Sequence, residues 1–266
     1  MKVLIIGGVA AGTKAAAKLK RRNQNVDVTI ITKANEISYA GCGLPYYVGD
    51  IIENRDDLIV NSPEKYSALT GVRVLTGREA VSLDSDSRTV AARNLLNGES
   101  ETYSYDELII AVGASAVLPQ IEGISLPGVF KMRTPDDAEE IRSYIERVSA
   151  KKAVIIGAGF IGLEVADNLF EKGIQITVID SADQILPGVL DSELADYVRR
   201  SLAKKGIRFI TGVKVDRIVG ADRAEGVSTS YGILDADIVV SAAGIRPNTD
   251  FLKNCGIEMD RGVIKT

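Results

Sequence analysis

The chain has 266 residues and no histidine, so the usual base beside a reactive thiol is missing. It has only two cysteines, Cys42 and Cys255, far apart and without framework spacing, which excludes a disulfide scaffold and makes a reducing cytoplasm the natural compartment. No apolar run reaches the roughly 20 residues that a membrane span needs. A net charge of -4 gives no sign of a nucleic-acid partner, and no metal site is expected. The opening "MKVLIIGGVAAG" runs straight into a glycine turn and a lysine-rich helix, which is not the anatomy of a secretory signal. What is present is a 45% hydrophobic share, enough core for one large domain or two ordinary ones.

One phrase is written twice. "KVLIIGGVAAGTKAAAKLK" starts at Lys2 and "KAVIIGAGFIGLEVADNLF" at Lys152. In each, a short apolar run reads as a buried parallel strand, a glycine turn follows, and Ala and Leu then recur at helical spacing. A second apolar run follows each, "VDVTII" at 26–31 and "IQITVI" at 174–179. The chain therefore holds two strand-helix-strand units. In the second, Gly157, Gly159 and Gly162 complete GxGxxG directly after a strand, and Asp180 ends the next strand. Gly157 allows the tight turn, Gly159 lets backbone amides approach a pyrophosphate, and Gly162 lets helix and strand pack closely. Asp180 would accept hydrogen bonds from ribose hydroxyls and repel a 2′-phosphate. No arginine lies in "DSADQ", so NADH is favoured over NADPH. The first copy deviates: Gly7, Gly8 and Gly12 remain, but the middle glycine is Val9, and Thr32 stands where a ribose-binding acid is expected.

Between the units, residues 72–111 alternate and carry Asn-Gly and Asp-Ser punctuation, which predicts a small antiparallel meander ending in a buried strand over 108–111. "TPDDAEEIRSYIERVSA" predicts an amphipathic helix with Thr134 as N-cap and Pro135 at the first helical position. A further helix is expected over 193–205, then short strands up to "ADIVVSAAG". The fold expected is α/β, two Rossmann-like nucleotide-binding domains, each a parallel sheet with helices and a small meander. The boundaries expected are 1–112, with 244–266 returning to it, and 113–243.

The two motifs, "AVGASAVLP" and "AAGIRPNTD" after apolar strands, and the lone cysteine in "SYAGCGLPYYVG" together resemble the FAD- and NAD(P)H-dependent pyridine nucleotide-disulfide oxidoreductases. The match is with their single-cysteine branch: coenzyme A-disulfide reductases, persulfide or polysulfide reductases, NADH oxidases and peroxidases. The resemblance implies that the first unit binds FAD, through Gly7, Gly8, Gly12, Thr32 and Lys33, with Ala111, Gly113 and Gly244 at the flanking strand ends. It implies that the second unit binds NADH. Oxidase and peroxidase members carry a histidine in the first glycine loop, where this chain has Ala10, which favours the disulfide and persulfide members. Family members continue beyond "GVIKT" with a flavin-contacting segment and a dimerisation domain. Weakened FAD retention is therefore expected of these residues alone, and the homodimer usual in the family is in question. An NADH oxidase or peroxidase and a catalytically idle nucleotide-binding fragment are the alternatives.

No second cysteine stands three or five residues from Cys42, so no local disulfide can form. The thiol must cycle against an external sulfur or a peroxide. If "CGLPYYVGD" opens a helix, its amides and dipole favour the thiolate without a histidine. Lys14, Lys18 and Arg21 fall at i, i+4 and i+7 on the first helix, one basic face that suits the phosphates of coenzyme A equally as it suits solvent. Ser38 is a further candidate for that site. Tyr46 and Tyr47 fit either a pocket or the core. Cys255, in "LKNCGIEM", carries no motif and reads as inert.

Overall fold

The computed structural model describes residues 1–253 and 255–265; Asn254 and Thr266, in the returning tail, lie outside the described residues. The chain forms two compact units, one of Met1–Ala40, Ile59–Ser115 and Arg246–Thr266, the other of Gly41–Leu58 and Ala116–Ile245.

The first unit begins with β1 (Lys2–Ile6), α1 (Ala10–Arg22) and β2 (Asp27–Ile31). The chain then leaves it for α2 (Leu44–Val48) and returns through α3 (Pro63–Thr70) and β3 (Arg73–Leu75). Ser62 caps α3 by accepting the Lys65 amide, and Gly71, in the left-handed region, ends it. A meander, β4 (Arg78–Asp84), β5 (Thr89–Asn94) and β6 (Ser100–Ser104), leads into β7 (Glu107–Ile110). The parallel sheet runs β3-β2-β1-β7. Side chains alternate across it as strand geometry requires. Val3 and Ile5 pack with Ala16 of α1 and Tyr66 of α3 on one face, and Leu4 and Ile6 with Leu83 and Val90 of the meander on the other. Leu252 and Cys255 of the returning tail complete that second core.

The chain enters the second unit through β8 (Ala114–Ala116), β9 (Val129–Lys131) and α4 (Pro135–Val148). Thr134 and Asp137 form a reciprocal capping box at the start of α4. Next come β10 (Lys152–Ile156), α5 (Phe160–Glu171), β11 (Gln175–Ile179), α6 (Ser192–Lys205) and β12 (Arg208–Ile210). A second meander follows, β13 (Val215–Val219), β14 (Gly226–Thr229) and β15 (Gly232–Asp235), before β16 (Ile238–Ser241). The sheet β12-β11-β10-β16-β9 is wholly parallel. Four of the five residues of β1 and of β10 are buried, as expected of strands covered on both faces. No helix among the described residues is long and apolar enough to cross a membrane.

The stretch Gly41–Leu58, placed by sequence inside the first domain, belongs to the second unit. Leu44, Tyr47 and Val48 are buried there, with α2 packed on α4 and α5. Long-range packing decides this, and no local sequence signal reports it.

Candidate functional site

Each unit presents a glycine loop between its first strand and helix, and the two loops share a backbone course. Gly7 and Gly157 both have φ +111, a conformation open to glycine at little cost. A Cβ at Gly7 would lie 2.1 Å from the Ala111 carbonyl oxygen, and one at Gly157 would lie 2.4 Å from that of Ala242. The Gly7 amide donates to Ile31 O and the Gly157 amide to Ile179 O. At Gly12 and at Gly162 a Cβ would lie 1.9 Å from the carbonyl oxygen of the turn glycine, so each helix rests directly on its turn.

The middle positions differ. A Cβ at Gly159 would meet nothing within 4 Å, which leaves space beside the loop amides at the start of α5. This open ground next to backbone donors fits a pyrophosphate. In the first loop Val9 fills the corresponding position. At the end of the second strand, Asp180 Oδ2 accepts the Ala158 amide at 2.6 Å and Oδ1 the Ala182 amide at 2.8 Å. Its carboxylate thus braces the loop while retaining lone pairs for a further donor. Thr32 holds the equivalent place in the first unit: its amide bonds Leu75 O as that of Asp180 bonds Ile210 O. Thr32 is buried, and its methyl group lies 3.2 Å from where a Gly8 Cβ would stand.

Ser38 has φ +52 and its amide donates to Gly8 O at 2.9 Å, which fixes it against the first loop. The first unit therefore gathers Gly7, Gly8, Gly12, Thr32, Ser38 and Ala111 around one turn. Lys33 follows Thr32 in the chain. Its ammonium pairs with Glu79 at 2.7 Å, which also takes Arg93 at 2.6 Å; these bonds, that from Lys33 first, hold the Glu79 carboxyl below its ordinary range. Gly113 (φ +63) is held by Asn248, whose amide donates to Gly113 O at 3.0 Å and whose Nδ2 donates to Val112 O at 3.1 Å. Nothing in the sequence singles out Asn248 within its motif "IRPNTD". Gly244 (φ +124) falls in the second unit, where its carbonyl accepts the Val117 amide.

Lys14, Lys18 and Arg21 are exposed along α1, and none has an ion-pair partner among the described residues. Lys20 beside them is tied to the carbonyls of Gln24 and Val26. Three free cations on one helix face suit a polyanionic ligand.

Cys42 is exposed and sits in a 3-10 turn, Gly41–Gly43, that runs directly into α2. The helix expected at the cysteine does begin there, but with five residues it offers only a small dipole. Tyr47 is buried and Tyr46 exposed. The Tyr47 hydroxyl donates to Glu139 of α4. Burial and then that bond push the Tyr47 phenol up, and the same bond holds the Glu139 carboxyl down. Cys255 is buried, its thiol donating to Leu252 O at 2.9 Å. No cluster of three His, Cys, Asp or Glu side chains placed to hold a metal occurs among the described residues.

Residues 1–266 match the model of the family described as pyridine nucleotide-disulphide oxidoreductase. A Methanocaldococcus jannaschii protein named NADH oxidase is 36% identical over 265 residues, covering 100% of this chain and 59% of its own length. A Pyrococcus horikoshii protein named NAD(P)H coenzyme A polysulfide/persulfide reductase is 35% identical over 266 residues, covering 100% of this chain and 58% of its own. Among solved structures, an NAD-dependent persulfide reductase from A. fulgidus superposes with a TM-score of 0.93 at 36% identity, over 98% of this chain and 49% of that one. The chain thus spans less than two thirds of the length of the relatives it matches.

Proposed function

The chain belongs to the pyridine nucleotide-disulphide oxidoreductase family, and from that membership we propose that it takes part in NAD(P)H-dependent, FAD-assisted reduction of a disulfide or persulfide through Cys42. The observation that carries the reading is the thiol itself: exposed, between two glycines, and without a partner, because Cys255 is buried in a core. A thiol so placed exchanges with sulfur from outside the chain.

The first loop, with Gly7, Gly8, Gly12, Thr32, Ala111 and Gly113, would hold FAD, and the second, with Gly157, Gly159, Gly162 and Asp180, would hold NADH. Bound FAD would supply two-electron transfer between nicotinamide and sulfur. The residues of the chain do the rest. The Cys42 thiolate attacks one sulfur of R–S–S–R, an Sγ–S bond forms, the S–S bond breaks, and RS⁻ leaves and takes a proton. Two electrons drawn from NADH then cleave the mixed disulfide, releasing the second RSH and restoring the thiolate. The sum is NADH + H⁺ + RSSR → NAD⁺ + 2 RSH. Lys14, Lys18 and Arg21, with Ser38 at the adjoining loop, all of the first unit, would take the phosphates of a ligand such as coenzyme A.

Stopped-flow mixing of the FAD-reconstituted, NADH-reduced chain with coenzyme A disulfide, oxygen or peroxide tests this. Reoxidation is expected to be fastest with coenzyme A disulfide. Faster reoxidation by oxygen or peroxide would instead assign the activity named for the Methanocaldococcus jannaschii relative, and a flavin that NADH leaves oxidised would refute the reading altogether.

Asp180 also bears on nucleotide choice. Removing a charged acceptor that serves both the ribose and the loop costs roughly 1.5–3 kcal/mol, so Asp180→Ala is expected to weaken NADH binding at least about tenfold. It should weaken NADPH binding less, because a repulsion is lost with the acceptor. Calorimetric titrations in which the unmodified chain binds NADPH more tightly than NADH would overturn the assignment.

A further inference from the structure

Between Val48 and Leu58 no residue is buried, yet this stretch follows α2, the helix that carries the Cys42 turn. Apolar packing does not hold it. A polar clamp from α4 and α5 does. Arg142 of α4, only 19% exposed, places Nε 2.9 Å from Asp50 Oδ1. Its Nη1 donates to Glu53 O at 2.9 Å and Ile52 O at 3.3 Å, with Tyr47 O at 3.5 Å. The guanidinium carbon stacks 4.6 Å from the centre of the Tyr47 ring. Lys172, at the end of α5, reaches the other Asp50 oxygen at 2.7 Å. Glu146 lies 3.7 Å from Arg142 Nε and is mostly exposed.

This differs from an ordinary surface ion pair, which contributes little because both partners stay solvated. One guanidinium fork serves a carboxylate and three carbonyls, a division of labour a lysine cannot copy. Asp50 itself has φ +62, a left-handed conformation that a non-glycine residue keeps only when its surroundings enforce it. Two cations on its carboxylate provide that enforcement. Gly49, next to it, sits where a Cβ would come within 2.8 Å of the Asn168 side chain of α5, so the end of α2 lies hard against that helix.

We propose that Arg142, acting through Asp50 and α2, is a positioning residue for Cys42: it fixes the short helix on α4 and thereby the direction from which the thiol meets a disulfide. No residue separates the Gly41–Gly43 turn from α2, so a rotation of the helix moves the sulfur with it. The inference rests on the reading of Cys42 as the sulfur that exchanges with substrate.

The test compares Arg142→Ala, Arg142→Lys and Asp50→Asn with the unmodified full chain. Three quantities are followed: the rate of mixed-disulfide formation at Cys42 with coenzyme A disulfide, the rate of Cys42 alkylation by iodoacetamide, and hydrogen exchange of the Gly49–Ile52 amides. A bulky disulfide needs an oriented thiol, whereas a small alkylating agent needs only an exposed one. In Arg142→Ala the ratio of the first rate to the second is expected to fall about tenfold or more. Exchange of the Gly49–Ile52 amides should rise by a similar factor while β10 and β11 stay protected. Arg142→Lys should restore part of the ratio, because it can still meet Asp50 but not all three carbonyls. Should Arg142→Ala fail to fold, Asp50→Asn, a substitution at an exposed site, decides the matter with a smaller fall in the same ratio. If the unmodified chain forms no adduct at Cys42, the disulfide reading falls. If it does form one and the foldable variants leave both the ratio and the exchange unchanged, that reading stands and the positioning role is overturned.

Discussion

Cys42→Ser is expected to abolish disulfide exchange: incubation with coenzyme A disulfide should leave no adduct at position 42 by mass spectrometry, and NADH-driven release of free thiol should drop to background. A hydroxyl cannot form the S–S bond on which the cycle turns. The side chain is exposed, so the substitution should change stability by no more than about 0.5 kcal/mol, and nucleotide binding should persist. Cys255 does not stand in for it, because it lies in a core with its thiol bonded to Leu252 O. A Cys255→Ser control should therefore behave like the unmodified chain. Undiminished reductase activity in Cys42→Ser would remove Cys42 from the mechanism.

The second large effect contrasts two glycines three residues apart. In Gly162→Ala the new methyl group would stand 1.9 Å from the Gly157 carbonyl oxygen. Backbone must move, and the expected loss of stability is about 3 kcal/mol, visible as an earlier denaturation midpoint together with failure to bind NADH. Gly159→Ala meets no atom within 4 Å, and its φ of -79 is ordinary for any residue. Its fold should be unaffected, while NADH affinity falls roughly 10- to 100-fold, the equivalent of a charged hydrogen bond lost from the pyrophosphate. Calorimetric titration beside thermal denaturation separates the two. A Gly159→Ala variant that binds NADH normally would show that the open ground at that loop is not the nucleotide site.

The parts of the fold legible from sequence are those whose cause is local. Strand, glycine turn and helix lie within about twenty residues of one another, and the structure has them at Lys2–Arg22 and Lys152–Glu171. The cap at Thr134 and the meander over residues 78–104 likewise follow from neighbouring residues. The strands β3 and β12 have three residues each, too few to show a period. The membership of Gly41–Leu58 depends on the packing of α2 on α4 and α5 and on the Arg142 and Lys172 contacts, all distant in sequence. In the pattern of α4, Arg142 looks like any other charge on a solvated face. The pairing of Lys33 with Glu79 of β4 is set by how the meander folds back and not by the spacing of the motif. Asn248 is not legible from sequence, because an asparagine after Arg-Pro reads as a turn, and its bonds to the Gly113 and Val112 carbonyls are set by the fold.

The first unit is assembled from three separate stretches of chain, and this sets the order in which it can mature. During synthesis β1, β2, β3 and β7 emerge early and can pair, yet one face of their sheet, with Leu4, Ile6 and Ile31 against Leu83 and Val90 of the meander, is completed only by Leu252 and Cys255. Residues Ala116–Ile245 of the second unit leave the ribosome in between. The nascent protein therefore carries a partly uncovered apolar sheet while Ala116–Ile245 is being made, the condition under which chaperones hold growing chains and stalled fragments aggregate.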